Sequence, residues 1–221
     1  IQRTIHKGLY ENAHATPGGN AFSVRDGERA NLDQYCSAIV NAKRTIYIEN
    51  QYIEVIPIVA ALEEALLRGV EIITVLPVSP DYGLSTGAIS GKRREFLDRR
   101  AGLSQHDNFM LCGLATAAED RGLTPIYVHS KLMIIDGEFA TVGSANLHHH
   151  SLFGNGELNA AIHDPDSAQA LLAALFEEHL GQSIEHLDDV QALDLFKRVA
   201  RKNLQSHQRN LPDWQGLAFE M

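Results

Sequence analysis

The sequence predicts an α/β fold in which a mixed β-sheet is flanked by helices. Short runs of apolar and β-branched residues alternate with longer segments whose apolar residues recur at helical spacing. Between residues 45 and 76, a strand–helix–strand unit implies two parallel strands joined by a right-handed crossover. A later pair of apolar runs, separated by the turn signal Asp136-Gly137, predicts an antiparallel hairpin. A sheet with both kinds of pairing, covered by amphipathic helices, defines the predicted class.

The remaining elements follow in chain order. Residues 1–30 are polar and glycine-rich and are predicted to form a linker or extended segment, and residues 206–221 a C-terminal tail. Apolar residues at helical spacing predict helices at 32–40, 57–69, 92–101, 168–176 and 188–202. Strands are predicted at 45–49, 70–76, 109–114, 128–135, 139–142 and 157–162. Asp188 and Gln191 have the spacing of a capping box. Residues 77–91, rich in Pro, Gly and Ser, are predicted to form a long loop.

Composition limits the classes of protein that need to be considered. The chain has 221 residues, 44% of them hydrophobic, which is enough to bury a core. No apolar run approaches the ~20 residues of a membrane span. The net charge of −9 argues against a large nucleic-acid footprint. The two cysteines, Cys36 and Cys112, are too few for a disulfide framework and are expected to be reduced core residues.

Two further features concern location and contacts. No signal peptide is visible, but Ile1 is not an initiator methionine, so a leader could have been lost upstream. A bacterial-type cytoplasmic or membrane-peripheral location is favoured, and secretion stays open. The densest basic cluster forms either a solvated helix face or a contact with anionic headgroups or another domain. It comprises Lys92, Arg93, Arg94, Arg99 and Arg100.

The residues best suited to catalysis or phosphate binding lie between positions 129 and 157. In a strand, residues two apart face the same way, so His129 and Lys131 are predicted to project together. Asp136 has the opposite parity and is expected to fix the strand end. Ser144 and Asn146 offer a hydroxyl and an amide for phosphate oxygens. These groups suit holding a phosphodiester while a histidine attacks or protonates it.

Other polar residues are candidates for supporting roles. A carboxylate at Glu157 could hold the second nitrogen of a histidine and set its tautomer. Asn50 and Gln51 follow the carboxyl end of a predicted strand, where they would either rim the site or form a hydrogen-bonded turn. No metal is expected at the run 148–150 of three histidines, because neighbours in an extended chain alternate faces.

These motifs resemble the catalytic signature of the phospholipase D superfamily. The resemblance rests on His129-x-Lys131-x4-Asp136, then Gly-Ser-x-Asn at 143–146, then Asn155-Gly156-Glu157. The segment 48–52 (Ile-Glu-Asn-Gln-Tyr) is similar to the strand and loop that precede this motif in phospholipase D. Arg3-Thr4 resembles the end of the segment that joins the two halves of such enzymes. The histidines at 148–150 depart from the pattern, since relatives usually have other polar or basic residues there.

The resemblance covers roughly residues 1–205 and matches only the C-terminal half of the two-motif enzymes. It implies that residues 31–205 form a catalytic half-domain, one half of a phospholipase D-type fold. In the family two such halves pack with the active site between them. The implied partner is therefore an N-terminal half with its own motif, or a second copy of this chain.

The resemblance also implies a chemistry. Family members use one histidine from each half and a covalent phosphohistidine, without a metal or cofactor. The implied catalytic residues are His129, Lys131, Asp136 and Glu157, with Lys131, Ser144 and Asn146 binding the phosphate. The N-terminal histidine is usually the nucleophile, so His129 would be the general acid and then the base; in a homodimer it fills either role.

The expected activity is hydrolysis of phosphatidylcholine-like phospholipids at a membrane surface, with possible transfer of the phosphatidyl group to alcohols. Three alternatives stay open: cardiolipin synthase-like phosphatidyl transfer, a homodimeric nuclease-type phosphodiesterase, and a domain that only binds phosphate. Nucleic acid is the less expected substrate because the chain is acidic, with a pI near 5.6.

Overall fold

A computed structural model describes residues 1–14, 16–78, 101–117 and 122–221. The basic cluster lies outside the described residues, as does nearly all of the predicted helix at 92–101 and of the predicted loop at 77–91.

Within the described residues, ten strands form one mixed sheet. They are β1 (Gln2–Ile5), β4 (Glu28–Arg29), β5 (Thr45–Glu49), β6 (Glu71–Val75), β7 (Phe109–Ala117), β8 (Leu123–Ile126), β9 (Leu132–Ile135), β10 (Phe139–Gly143), β11 (Glu157–Ile162) and β12 (Ala218–Glu220). Their order across the sheet is β12-β7-β6-β5-β9-β10-β11-β1-β4, and β8 also pairs with β7. β2 (Asn12–His14) and β3 (Ala21–Ser23) form a separate small hairpin. The predicted α/β class with a mixed sheet is confirmed.

Helices cover both faces of this sheet. They are α1 (Ala30–Asn41), α2 (Ile56–Leu67), α3 (His149–Phe153), α4 (Pro165–Leu180) and α5 (Asp189–Gln208). Ile46 and Ile48 of β5 pack in one apolar cluster with α1 and α2. Tyr47, between them in sequence, packs in the other cluster with α4 and α5. This alternation along β5 follows from the two-residue period of a strand. None of the helices in the described ranges combines the length and apolar character needed to cross a membrane.

Several predicted local features are confirmed. β5 and β6 pair in parallel, Ile46 opposite Ile72, as the strand–helix–strand unit requires. β9 and β10 form the predicted hairpin, in which Asp136 and Gly137 have φ of 55° and 63°. At the start of α5, Asp188 and Gln191 make both hydrogen bonds of a capping box. The sequence signals for the helix start and for the hairpin turn therefore predict the local structure correctly.

Three segments differ from the prediction. Within the predicted linker, β1 pairs with β11, and β4 pairs with β1. In the predicted tail, β12 pairs with β7. The strand predicted from residue 128 begins at Leu132. The added strands have two to four residues, too few to show an apolar alternation, and their partners lie far away in sequence.

Gly143 lies at the end of β10, where the chain presses against β11. A Cβ atom there would lie 2.4 Å from the carbonyl oxygen of Leu158 and 2.6 Å from the Cα of Asn159. Both are backbone atoms of a paired strand, so they cannot rotate away. Glycine is therefore required by close approach and not by its φ angle.

Gly143→Ala is expected to destabilise the fold by about 1–3 kcal/mol, because the methyl group must push two paired strands apart. Urea denaturation measures the change. Gly156→Ala is the matched control, since a Cβ atom at Gly156 meets nothing within 4 Å. Equal stabilities of the two variants would contradict the packing argument.

Candidate active site

The candidate site lies at the carboxyl end of β5. β9 runs antiparallel to β5, with Leu132 opposite Glu49. The residues just before β9 therefore lie beside the residues that follow β5, which brings the segment 129–131 next to Gln51. This edge, beyond the carboxyl ends of parallel strands, is where open α/β sheets bind ligands.

Lys131 is the best-defined member of the site. Its ammonium group donates to Oε1 of Gln51 at 2.7 Å and to the carbonyl oxygen of His129 at 2.5 Å. The residue is only 7% exposed. Burial lowers the pKa of Lys131, and the charge of Glu157 opposes that shift. The site thus holds a partly desolvated cation with two neutral partners, which suits binding of a phosphate oxygen.

His129 is exposed beside this cation. Over the described ranges its imidazole forms no hydrogen bond, and the ring stacks on Tyr127 with centroids 6.3 Å apart. Gln51 also donates to the hydroxyl of Tyr127 at 2.7 Å. Its amide therefore contacts both Lys131 and the tyrosine on which His129 stacks. The prediction that His129 and Lys131 share a strand face is not met, because the strand begins after them.

Ser144 and Glu157 bind each other. The hydroxyl of Ser144 donates to Oε2 of Glu157 at 2.5 Å and accepts from the amide of Leu158 at 3.1 Å. The structure does not join Glu157 to His129 by a hydrogen bond within its described residues. Glu157 acts instead on Lys131, through its charge. Oδ1 of Asn146 is buried without a hydrogen-bond partner in the described part of the chain.

Asp136 lies at the opposite end of β9 from His129. Its carboxylate accepts the backbone amides of Lys43, Arg44 and Thr45 at 2.9, 2.7 and 2.8 Å. These contacts tie the turn of the hairpin to the start of β5. The geometry agrees with the expectation that Asp136 fixes the strand end.

Asn50 is fully buried and shapes the loop beside the site. Its Oδ1 accepts the amides of Leu147 and Tyr52, at 3.1 and 3.2 Å. Asn50 therefore forms a hydrogen-bonded turn, which is one of the two alternatives predicted for this position. Its neighbour Gln51 reaches Lys131 directly.

His148 is the extended N-cap residue of helix α3, and His149 and His150 form the start of the helix, so the run is not extended throughout. Nδ1 of His148 accepts the amide of His150, and its Nε2 lies 3.4 Å from Glu54. Burial lowers the pKa of His148. No group of three His, Cys, Asp or Glu side chains arranged to hold a metal occurs among the residues described.

A buried network below the site was not predicted. The carboxylate of Glu49 accepts hydrogen bonds from Tyr47 at 2.7 Å, His179 at 2.8 Å and Ser130 at 2.5 Å. The sequence offered one signal for this network: Glu49 is a carboxylate in a predicted strand of mainly apolar residues, within the segment that resembles the family. His179 gave none, because it lies 130 residues away, beyond the end of the helix predicted at 168–176.

The pKa of Glu49 reflects two opposed effects. Burial alone would raise it, but the hydrogen bond and charge of His179, aided by Ser130 and Tyr47, lower the pKa below the ordinary glutamate value. A depressed pKa means that the carboxylate contributes stability above its unfolded-state pKa and loses it as the pH falls through the folded-state pKa.

The free energy of unfolding of wild type is therefore expected to exceed that of Glu49→Gln most at neutral pH. The difference is expected to shrink as the pH falls below the ordinary glutamate range. Urea denaturation at several pH values measures it, with Glu64→Gln on the exposed face of α2 as the control. A difference that does not change with pH would show that folding does not shift the pKa of Glu49.

Comparison with known proteins identifies the family. A family model described as "Cardiolipin synthase, PLD-like domain" matches residues 35–180. The chain belongs to this family. PLD denotes phospholipase D, so the predicted superfamily is confirmed.

Two curated relatives are named as cardiolipin synthases, in agreement with the family model. Cardiolipin synthase 1 of Staphylococcus epidermidis is 31% identical over 168 residues, which are 75% of this chain and 29% of that protein. Cardiolipin synthase of Listeria monocytogenes is 29% identical over 147 residues, 66% of this chain and 27% of that protein. The chain thus spans under a third of the length of these relatives.

Two solved structures are similar in fold. NucT from Helicobacter pylori is 18% identical with a TM-score of 0.49, covering 63% of this chain and 81% of that one. Nuc from Salmonella typhimurium, a phospholipase D family member, is 21% identical with a TM-score of 0.49, covering 65% and 83%.

Proposed function

We propose that this chain supplies one half of the catalytic site of a cardiolipin synthase-type phosphatidyltransferase. One observation carries the proposal: at the carboxyl edge of the sheet, the ammonium of the buried residue Lys131 donates to the carbonyl oxygen of His129, whose side chain is exposed. The names of the relatives favour this activity over the phosphatidylcholine hydrolysis expected from the motifs.

The proposed reaction has two displacements at one phosphorus atom. A histidine nitrogen forms a bond to phosphorus, the bond to the headgroup oxygen breaks, and a second histidine gives the leaving oxygen a proton. The glycerol hydroxyl of an acceptor phospholipid then loses its proton to that second histidine and attacks phosphorus, and the nitrogen–phosphorus bond breaks. The product has two phosphatidyl groups on one glycerol.

Lys131 and Asn146 are proposed to bind the non-bridging phosphate oxygens. A desolvated ammonium stabilises the charge that gathers there better than a hydrated one, because its field is less screened. Ser144 is proposed to act through Glu157, since its hydroxyl is already donated to that carboxylate. Burial lowers the pKa of Lys131, and the charge of Glu157 opposes this effect.

The second histidine is proposed to come from an N-terminal half with its own motif, or from a second copy of this chain. If an N-terminal half supplies the nucleophile, His129 protonates the leaving headgroup and later activates the acceptor. If two copies pair, His129 takes either role.

The test uses phosphatidylglycerol vesicles in EDTA, with the chain alone and with a separately expressed N-terminal half. Release of glycerol together with formation of cardiolipin supports the proposal. The His129→Ala variant is the control for contaminating activity.

Other products would contradict it in distinct ways. Phosphatidic acid from phosphatidylcholine, without cardiolipin, indicates a hydrolase. Cleavage of single-stranded DNA that competes with lipid indicates a nuclease. No turnover of any phosphodiester, even with the second half supplied, indicates a domain that only binds.

A further inference from the structure

A carboxylate is buried directly beneath the candidate catalytic segment. Glu49 is only 4% exposed at the end of β5. Its three side-chain partners, Tyr47, His179 and Ser130, together with Glu49 itself, are called the Glu49 clamp below. A buried charge is costly unless it is paired and hydrogen-bonded, so such an arrangement is retained only with all its partners in place.

The two carboxylate oxygens have different partners. Oε1 accepts from Tyr47 and His179, which are 1% and 4% exposed and belong to the core between the sheet and α4. Among the described residues, Oε2 accepts from Ser130 alone. One oxygen therefore fixes the carboxylate to the core, and the other holds the chain between His129 and Lys131.

The orientation of His179 completes this division. Its Nδ1 is buried without a partner among the described residues, whereas its Nε2 lies 2.8 Å from Glu49. This geometry requires a proton on Nε2 that points at Oε1, since an ionised carboxylate oxygen only accepts. Oε2 stays available to Ser130, and because the carboxylate is charged, that hydrogen bond is a strong one.

Besides the Glu49 clamp, the segment 127–131 is held by Val128, which is buried in the same apolar cluster as Tyr47, and by the Tyr127 hydroxyl, which accepts from Gln51. It precedes β9 and is not part of a strand. The amide of Gly143 donates to the carbonyl oxygen of Lys131, and the Lys131 side chain reaches Gln51. The Ser130 hydroxyl lies between His129 and Lys131 and hydrogen-bonds this segment to the Glu49 carboxylate below it.

We propose that Glu49 is a positioning residue that acts through Ser130 to fix the positions of His129 and Lys131. The Glu49 clamp holds the segment 127–131 from the core side, and the substrate binds on the opposite side of that segment. The inference rests on the proposed function for its kinetic test and on the structure alone for its spectroscopic test. Displacement of a catalytic group by about 1 Å can cost 10²-fold in rate, so a single hydroxyl is enough to matter.

The kinetic test uses Ser130→Ala and Ser130→Thr. Ser130→Ala is expected to lower kcat about 10- to 100-fold with little change in KM, because substrate contacts remain. Ser130→Thr keeps the hydroxyl and is expected to restore most of the rate. Glu49→Gln is expected to resemble Ser130→Ala, and the double variant is expected to lose no more than the worse single variant.

Matched controls separate positioning from general loss of stability. Asp189→Asn removes a buried carboxylate bonded to Thr45 at the other end of β5. Ser206→Ala removes a buried serine on α5. Both are expected to leave kcat unchanged in the folded protein, and Asp189→Asn is expected to combine additively with Ser130→Ala. A kcat of Ser130→Ala within twofold of wild type, or additivity of Ser130→Ala with Glu49→Gln, would overturn the proposal.

Two readouts keep this test independent of the lipid. Bis(p-nitrophenyl) phosphate reports phosphodiester chemistry if phosphatidylglycerol is not a substrate, in which case only the proposed function fails. The ring signals of His129 in isotope-labelled protein need no turnover. They are expected to shift or broaden in Ser130→Ala and Glu49→Gln but not in the controls. Unchanged His129 signals would overturn the proposal even in an inactive protein.

Discussion

His129→Ala is expected to lower turnover of phosphatidylglycerol by about 10³-fold or more while leaving the fold intact. A general acid or base contributes about 10²- to 10⁴-fold to a rate, and a reaction that passes through a covalent intermediate depends on its nucleophile. The ring is exposed and its one described ring contact is the stack on Tyr127, so little stability depends on it. The measurements are kcat/KM and the thermal unfolding midpoint.

The control for this variant is His186→Ala. His186 is exposed in the connection between α4 and α5, away from the site. Its removal is expected to change neither rate nor stability. A His129→Ala protein that keeps a tenth or more of the wild-type rate would show that the reaction occurs elsewhere.

Asp136→Ala is expected to destabilise the protein by about 3–5 kcal/mol, the largest stability effect predicted here. Three backbone amides lose a charged acceptor, and each hydrogen bond to a charged group is worth about 1.5–3 kcal/mol before relaxation. Alanine must also adopt a φ of 55°, which aspartate tolerates better. Urea denaturation measures the loss.

The neighbouring acid in the same turn provides the control. Glu138 pairs with Arg44 in an exposed position, so Glu138→Ala is expected to cost about 0–1 kcal/mol. If Asp136 is an anchor, the folded fraction of Asp136→Ala keeps most of its kcat. A stable Asp136→Ala protein without activity would instead assign Asp136 a part in the chemistry.

Local signals in the sequence predicted the centre of the fold well. The bounds of β5 and β11, at 45–49 and 157–162, agree with the structure residue for residue. β5 is buried along its whole length, and an apolar run bounded by polar residues is a strong local signal. The edge strands β1, β4 and β12 depend on partners far away in sequence, so no local pattern marks them.

In the candidate site, too, local patterns were predictable and contacts between residues far apart in sequence were not. The motif located His129 and Lys131 and, through the turn signal Asp136-Gly137, set Asp136 apart from them. It could not predict that Glu157 binds Ser144, because that contact depends on how β10 and β11 come together. The Glu49 clamp joins residues from β5, the segment before β9 and α4, and only the packed structure brings them into contact.

The pairing of β12 has a practical consequence for anyone who shortens this chain. β12 covers the outer edge of β7, and the side chain of Asn203 on α5 binds the carbonyl oxygens of Gln215 and Ala218 on the way to it. A fragment that stops at residue 205, where the family resemblance fades, would expose that edge. Exposed strand edges template intermolecular pairing, so the shorter fragment is expected to aggregate on expression.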